Sequence, residues 1–280
     1  MDAINKEDLS TMNILLPIGG AGSRFKNEGY KIKKPLIKIT DRYTGKKIPM
    51  ILGALKDIPW INKKNKRLIL VNNSEDIING LETLVKKEYK DSIFIHDHVK
   101  LDQAFGCLLA REYLQTNKEL FIGACDNGFD LDIKKFNKLK KISDVIVFTH
   151  TGDINIQNNP NAHSWLKLKS DNLSVKNISL KKIISRNFMN DHATTGMFWF
   201  KNSNEFLKNL EEMIFQNNRF QNKFYVDNVI NFCIKNSLKV KFIDVRYICW
   251  GTPYDYEVYE KTIKYWINFY KKNKWIKKYL

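Results

Sequence analysis

A run of small residues, Pro17-Ile18-Gly19-Gly20-Ala21-Gly22-Ser23-Arg24-Phe25, directly follows a stretch of Ile and Leu near the start of the chain. Glycines let a backbone turn sharply and bring bare N–H groups close to an anion, so the chemistry this loop offers is the cradling of phosphate. Two familiar phosphate-binding patterns fail here. A P-loop needs Gly-Lys-Ser/Thr after four spacer residues, and a dinucleotide fingerprint needs a third Gly where this chain has Phe25. What remains is G-G-x-G-S-R-F, followed about ten residues later by Lys33-Lys34-Pro35-Leu36. The plain alternative is a glycine turn between a strand and a helix.

The elements that must position this loop follow from periodicity. Asn13–Ile18 and Arg67–Asn72 read as buried strands, and the spacing of Ile77, Ile78, Leu81, Leu84 and Val85 predicts a helix over Glu75–Tyr89. A strand is expected at Ser92–Asp97, a helix at Leu101–Gln115, a strand at Glu119–Cys125, a helix at Ile133–Lys141 and a strand at Asp144–Thr149. That alternation implies βαβ units, a mainly parallel sheet and ligand binding beyond the carboxyl ends of its strands. From about His150 the pattern changes: strands at Ser164–Leu168, Leu173–Leu180 and Ala193–Phe200, helices at Asn204–Gln216 and Phe224–Asn236, and a strand at Lys239–Val245. The expected fold class is α/β, a Rossmann-like mixed, mainly parallel sheet. Residues 1–280 read as one continuous domain, with a nucleotide-binding half at 12–150, an acceptor-binding half at 151–256 and a basic, aromatic C-terminal helix at 257–280.

The glycine loop and its K-P-L sequel resemble the signature of the sugar-phosphate nucleotidyltransferases, the pyrophosphorylases that make nucleoside-diphosphate sugars, and this resemblance implies the GT-A-like fold of that family. In the family reaction a phosphate oxygen attacks the α-phosphorus of a nucleoside triphosphate and releases pyrophosphate. Both reactants are anions, so the protein must neutralise charge and hold them in line. By the resemblance, backbone amides of Gly19, Gly20, Ala21, Gly22 and Ser23 would hold the nucleotide, Arg24 the departing pyrophosphate, and Lys34 the α-phosphate and the attacking phosphate. Lys31 and Lys33 read as solvated lysines. Lys100-Leu101-Asp102-Gln103-Ala104 resembles the family segment with a base-reading Gln, and Gln103 carries the acceptor and donors to read a pyrimidine edge. Asp102 also reads as a helix N-cap. Asp126-Asn127-Gly128 resembles the family turn that follows a parallel strand. Its carboxylate suits Mg²⁺, a hard cation, and the plain alternative is an Asp-Asn-Gly turn.

The match continues more loosely. Val175–Lys182 resembles the family strand that ends in Glu-Lys: Lys181 takes the place of the Lys that binds the acceptor phosphate, and Leu180 stands where the Glu would contact sugar hydroxyls. Ala193–Phe200 matches a strand whose Gly196 lets the acceptor approach, with Asn127 as a further acceptor contact. Cys249-Trp250-Gly251-Thr252-Pro253-Tyr254-Asp255 resembles D-x-G-T-P-x-D near a second metal site, with Cys249 in place of the first Asp. A second metal ligand would then come from Asp255, Asp227 or Asp244, and Asp255 also reads as an N-cap. The resemblance implies an NTP and a phosphorylated acceptor, a sugar 1-phosphate or, given Leu180, a smaller polyol or alcohol phosphate, in the making of surface polysaccharide precursors. A glycosyltransferase using a nucleotide sugar would show Asp-x-Asp after a strand, and a non-catalytic nucleotide-sugar binder would release no pyrophosphate.

Composition is consistent with an enzyme of anionic substrates without identifying one. The 280 residues carry 47 Lys+Arg against 30 Asp+Glu, a formal charge of +17, yet only seven of the basic residues are Arg. The bidentate Arg clusters of many nucleic-acid readers are missing, so no nucleic-acid partner is expected. The four cysteines lie far apart and read as reduced core thiols. With no long apolar span and an acidic, polar start, a cytoplasmic protein is expected, homo-oligomeric assembly being open. Tyr259–Leu280 interleaves aromatics with lysines, which suits a helix packed on its own domain better than one lying on an anionic membrane.

Overall fold

The computed structural model describes residues 12–20, 22–62, 66–73, 80–99 and 102–273. The expectations placed on the N-terminal tail, Ala21, Ile77 and Ile78, Lys100 and Leu101, and 274–280 lie outside the described residues. The first strand, β1 (Met12–Pro17), is followed by the short helix α1 (Ser23–Asn27), the hairpin β2 (Lys38–Thr40) and β3 (Lys47–Pro49), and α2 (Met50–Lys56). Next come β4 (Lys66–Asn73), α3 (Leu81–Glu88), β5 (Ile93–Asp97), α4 (Gln103–Leu108), α5 (Arg111–Leu114), β6 (Glu119–Ile122) and β7 (Asn127–Asp130). The remainder is α6 (Ile133–Lys140), β8 (Val145–His150), α7 (Ile154–Asn158), β9 (Trp165–Leu168), β10 (Val175–Ser179), β11 (Ala193–Phe200), α8 (Ser203–Phe215), α9 (Val226–Lys235), β12 (Val240–Asp244), β13 (Arg246–Cys249) and α10 (Pro253–Lys272).

Among the described residues nine strands form the mixed sheet that the sequence leads one to expect. Strands β5, β4, β1 and β6 run parallel; β11 follows antiparallel, and β8 and β12 close that side parallel to each other. β9 and β10 attach at the start of β11. Side chains of β1 alternate between two cores. Leu15 packs with Ile69, Ile122 and the inner faces of α8 and α9, while Ile14 and Leu16 pack with Leu70, Phe121 and helices α2, α3 and α6. Burial on both faces is why these parallel strands read as continuous apolar runs.

Because β1 and β6 are parallel neighbours, the chain leaves both at the same edge of the sheet, which puts the glycine loop beside Asp126. Two additions complete that edge. β7 pairs with β13, bringing Cys249 opposite Asn127, and Trp250 N donates to Asp126 O at 2.9 Å. Beneath them Phe25, Ile39, Met50 and Trp250 make a third core onto which Tyr256 and Tyr259 of α10 pack.

Three features depart from the expectations. The helix expected at Leu101–Gln115 is two short ones, because Leu109 and Ala110 donate to carbonyls three residues back and tighten the turn between them. Helix α2 had no signature: Met50 to Leu55 are all buried, so it shows no amphipathic period. The last helix begins at Pro253, with Thr252 as its N-cap.

Gly128 shows how tightly the Asp126 turn is seated. A Cβ there would lie 2.3 Å from Asp57 Oδ2 and 3.2 Å from the Trp250 ring. Asp57 cannot swing away, since its carboxylate accepts from Phe129 N, Arg42 Nη2 and Tyr43 Oη. Gly128→Ala is therefore expected to destabilise the fold by about 1–3 kcal/mol, read as a lower thermal midpoint. An unchanged midpoint would mean that Asp57 and Trp250 yield freely, against this packing.

Candidate functional site

Two cavities meet at the carboxyl edge of the sheet. The smaller, about 250 Å³, lies under the glycine loop and is lined by Gly19, Gly20, Gly22, Lys34, Gln103 and Asp126. The larger, about 700 Å³, is lined by Arg24, Asp126, Asn127, Lys181, Gly196, Asp227 and Asp255 among others. Gln103 and Asp126 line both, so a ligand spanning the two passes over them.

The glycine loop reaches this position because Gly22 adopts φ +61°, a conformation that L side chains rarely take, and a Cβ there would sit 3.4 Å from Lys34 Cβ. Ser23 and Arg24 then open α1, with both side chains exposed. Lys34 crosses beneath the loop. Its Nζ donates to Asp126 Oδ2 at 2.5 Å and to Gly251 O at 2.9 Å, and it stands 5.6 Å over the Phe25 ring. Burial opposes the Lys34 charge, but the Asp126 carboxylate outweighs it and holds the ammonium above its ordinary range.

Gln103 is the first residue of α4, at the rim of both cavities. Asp102 occupies the N-cap position but does not cap the helix with its side chain; its carboxylate accepts from Phe224 N at 3.2 Å instead, tying α4 to the α9 side of the cleft.

In the larger cavity Lys181 sits at φ +51°, donates to Ala162 O at 2.6 Å and stands 5.5 Å over the Tyr225 ring. Burial lowers its pKa, Asp227 opposing and Arg24 reinforcing, so the two cations share one field. Leu180 points away and packs on the core. Gly196, at φ +78°, sits where β11 breaks register with β8, and Asn127 donates to Thr195 O at 3.3 Å across that break.

The carboxylates divide. Asp227 is buried and accepts from Thr194 Oγ1 at 2.6 Å; Asp255 accepts from Thr252 Oγ1 at 2.6 Å within the cap of α10. Asp244 does not line the cleft: it lies at the end of β12, accepting from Thr149 Oγ1 at 2.7 Å and paired with His192 Nδ1 at 2.9 Å. Cys249 does, and burial pushes its thiol far up, leaving it protonated beside Asp255. Among the described residues no group of three His, Cys, Asp or Glu could hold a metal. Asp126 lines both cavities, and a single carboxylate is a donor set that suits Mg²⁺, which usually binds one or two carboxylates together with substrate phosphates.

Sequence reasoning missed a wall of the larger cavity made by Asn155, Asn158, Asn159 and His163. The amides lie close together in the sequence, but short polar runs read as loop. His163 rests edge-on 5.2 Å, centroid to centroid, from buried His150, whose ring also lies tilted 4.4 Å from Tyr247. Burial, then the charges of His150 and Lys181, push His163 down to about 4.

No family model matches the chain, and a comparison with curated proteins returns no match. Solved structures do match. The nucleoside-diphosphate-sugar pyrophosphorylase of Vibrio cholerae RC9 aligns with 89% of this chain and 99% of its own at 17% identity and a TM-score of 0.70. The inositol-1-phosphate CTP transferase of T. maritima covers 91% and 97% at 17% identity and a TM-score of 0.61. HddC from Yersinia pseudotuberculosis, also solved in complex with GMP-PN, covers 90% and 99% at 19% identity and a TM-score of 0.59. The chain has the fold of these proteins over nearly its whole length.

The depressed His163 sets a direction for pH. The unfolded imidazole takes a proton near 6.5 and the folded one near 4, so stability is complete above 6.5 and falls as pH drops through that window. His163→Gln is expected to flatten this acid limb of the unfolding midpoint. A limb of unchanged slope would show that His163 does not carry it.

Proposed function

We propose that the protein is a nucleotidyltransferase joining a nucleoside triphosphate to a phosphorylated acceptor, a sugar 1-phosphate or a small polyol or alcohol phosphate, with release of pyrophosphate. The observation that carries this reading is the Lys34–Asp126 pair beneath the glycine loop, with Asp126 at the junction of the two cavities. The shared fold of pyrophosphorylases supports it.

In this reading residues 12–150 bind the nucleotide. Amides from Gly19 to Ser23 hold its phosphates, and Gln103 reads the base. Residues 151–256 bind the acceptor, whose phosphate lies toward Lys181 and whose hydroxyls meet Asn127, the Asn155–Asn159 wall and the Gly196 backbone. An acceptor phosphate oxygen attacks the α-phosphorus, the α–β bridging bond breaks, and pyrophosphate leaves with that electron pair. No covalent enzyme intermediate is needed. Lys34 stabilises the charge that grows on the α-phosphate, and Arg24 steadies the departing group. Mg²⁺ bound at Asp126 would supply Lewis-acid neutralisation of phosphate charge. Asp255 and Asp227 are secondary candidates for holding a cation. Asp255 and Asp227 each accept a hydrogen bond from a threonine hydroxyl, Thr252 and Thr194, and a carboxylate so engaged keeps further oxygen lone pairs for a cation.

The product would be an activated precursor for a surface glycan. No described helix is long and apolar enough to cross a membrane, and the triphosphate substrate argues for a cytoplasmic site of action.

A matrix of nucleoside triphosphates against phosphorylated sugars and polyols, read by pyrophosphate release with Mg²⁺, is expected to give turnover with at least one pair. Lys34→Ala should lower kcat about 10²–10³-fold, and Asp126→Asn should weaken both turnover and Mg²⁺ dependence. No turnover with any pair, or a Lys34→Ala enzyme of full activity, would defeat the reading.

A further inference from the structure

Helix α10 is two helices in its chemistry. Residues 253–260 carry Asp255, Glu257 and Glu260 and no basic residue; residues 261–273 carry Lys261, Lys264, Lys271 and Lys272 and no acid. The first part is anchored. Tyr256 and Tyr259 pack on the third core, and Glu260 accepts from Thr40 N at 2.6 Å. The second part lies against the body through Ile267, near Gly45, and through Thr262, Ile263 and Trp266, which line a cavity of about 480 Å³ with Arg42, Tyr43 and Asp130; no residue of the whole helix is buried.

What this second part presents to solvent is aromatic. Tyr265, Trp266 and Tyr270 are 61%, 46% and 38% exposed, and with Phe269 they form one cluster of rings 5.4–6.2 Å apart. At about 100° per residue the four fall within an arc of about 140°, and the lysines occupy the adjoining arc. Lys264, Lys271 and Lys272 make no ion pair with a described residue. Packing on the chain's own domain, the expectation from the sequence, is made by Tyr256 and Tyr259 and more lightly by Ile263 and Ile267, while Tyr265, Trp266 and Tyr270 stay exposed.

We propose that this aromatic and basic face docks on an anionic lipid surface. Charge selects that occupant. A second copy meeting the same face about a two-fold axis would set lysines against lysines with no acid in the segment to answer them, whereas anionic headgroups answer them directly. Rings of Tyr and Trp sit well at the headgroup level, apolar body inward and polar tip wet. The Arg-poor composition speaks against nucleic acid as the occupant. The inference stands apart from the reaction proposed above, since it uses none of the cleft residues.

The test is co-sedimentation of the full-length protein with vesicles of phosphatidylglycerol and phosphatidylcholine, and with phosphatidylcholine alone. Binding is expected to the anionic vesicles only and to fade as salt rises. The variants Tyr265→Ser/Trp266→Ser and Lys264→Glu/Lys271→Glu/Lys272→Glu should each weaken it at least about tenfold, with the unfolding midpoint and any transferase turnover unchanged. Equal binding to neutral vesicles, or full binding by both variants, would overturn the proposal. So would a dimer in solution that the aromatic variant abolishes, or an oligonucleotide that binds this face more tightly than the vesicles do.

Discussion

One contact organises the site: the Lys34 ammonium held between the Asp126 carboxylate and the Gly251 carbonyl. It ties together three stretches far apart in sequence, the segment after the glycine loop, the turn after β6, and the start of α10. The pair is only 18% and 26% exposed at its two side chains. Such a shielded pair adds little to stability, because desolvation offsets its attraction. Its arrangement makes physical sense as preorganisation, a fixed positive charge beside a fixed oxygen ligand, ready for a phosphate that brings the missing negative charge.

Around that contact the cleft is asymmetric. Under the glycine loop the protein offers bare backbone, because glycine admits the turn and leaves room for an anion. On the other side it offers amides, a neutral imidazole and two cations, Arg24 and Lys181, that share one field. Leu180, half-buried against the core, and Cys249, a protonated thiol, add no negative charge to this side.

Much of this was legible in the sequence where one physical requirement dominated. Buried parallel strands announced themselves by apolar runs, and β11 was placed to the residue at Ala193–Phe200 because its inward side chains are Ala, Met, Phe and Trp. The phosphate loop, Lys34 and Asp126 could be listed, since their residue types are few and their spacing constrained; the geometry then gathers them. The rest depended on long-range pairing. The β7–β13 ribbon, the helix α2 buried on every side and the His150–His163–Tyr247 ring cluster have no local period, so only tertiary structure reveals them. Asp244 had the right chemistry at the end of a strand, but that strand lies beyond β8, too far round the sheet to reach the cleft.

The central claim is that the bond broken lies between the α- and β-phosphorus, over Lys34 and Asp126. The most direct measurement follows two labels in one turnover, using triphosphate labelled at the α-phosphate and, separately, at the γ-phosphate. The account predicts the α label in the acceptor-linked product and the γ label in pyrophosphate. A γ label on the acceptor, or an α label that never leaves the nucleotide pool, would contradict it.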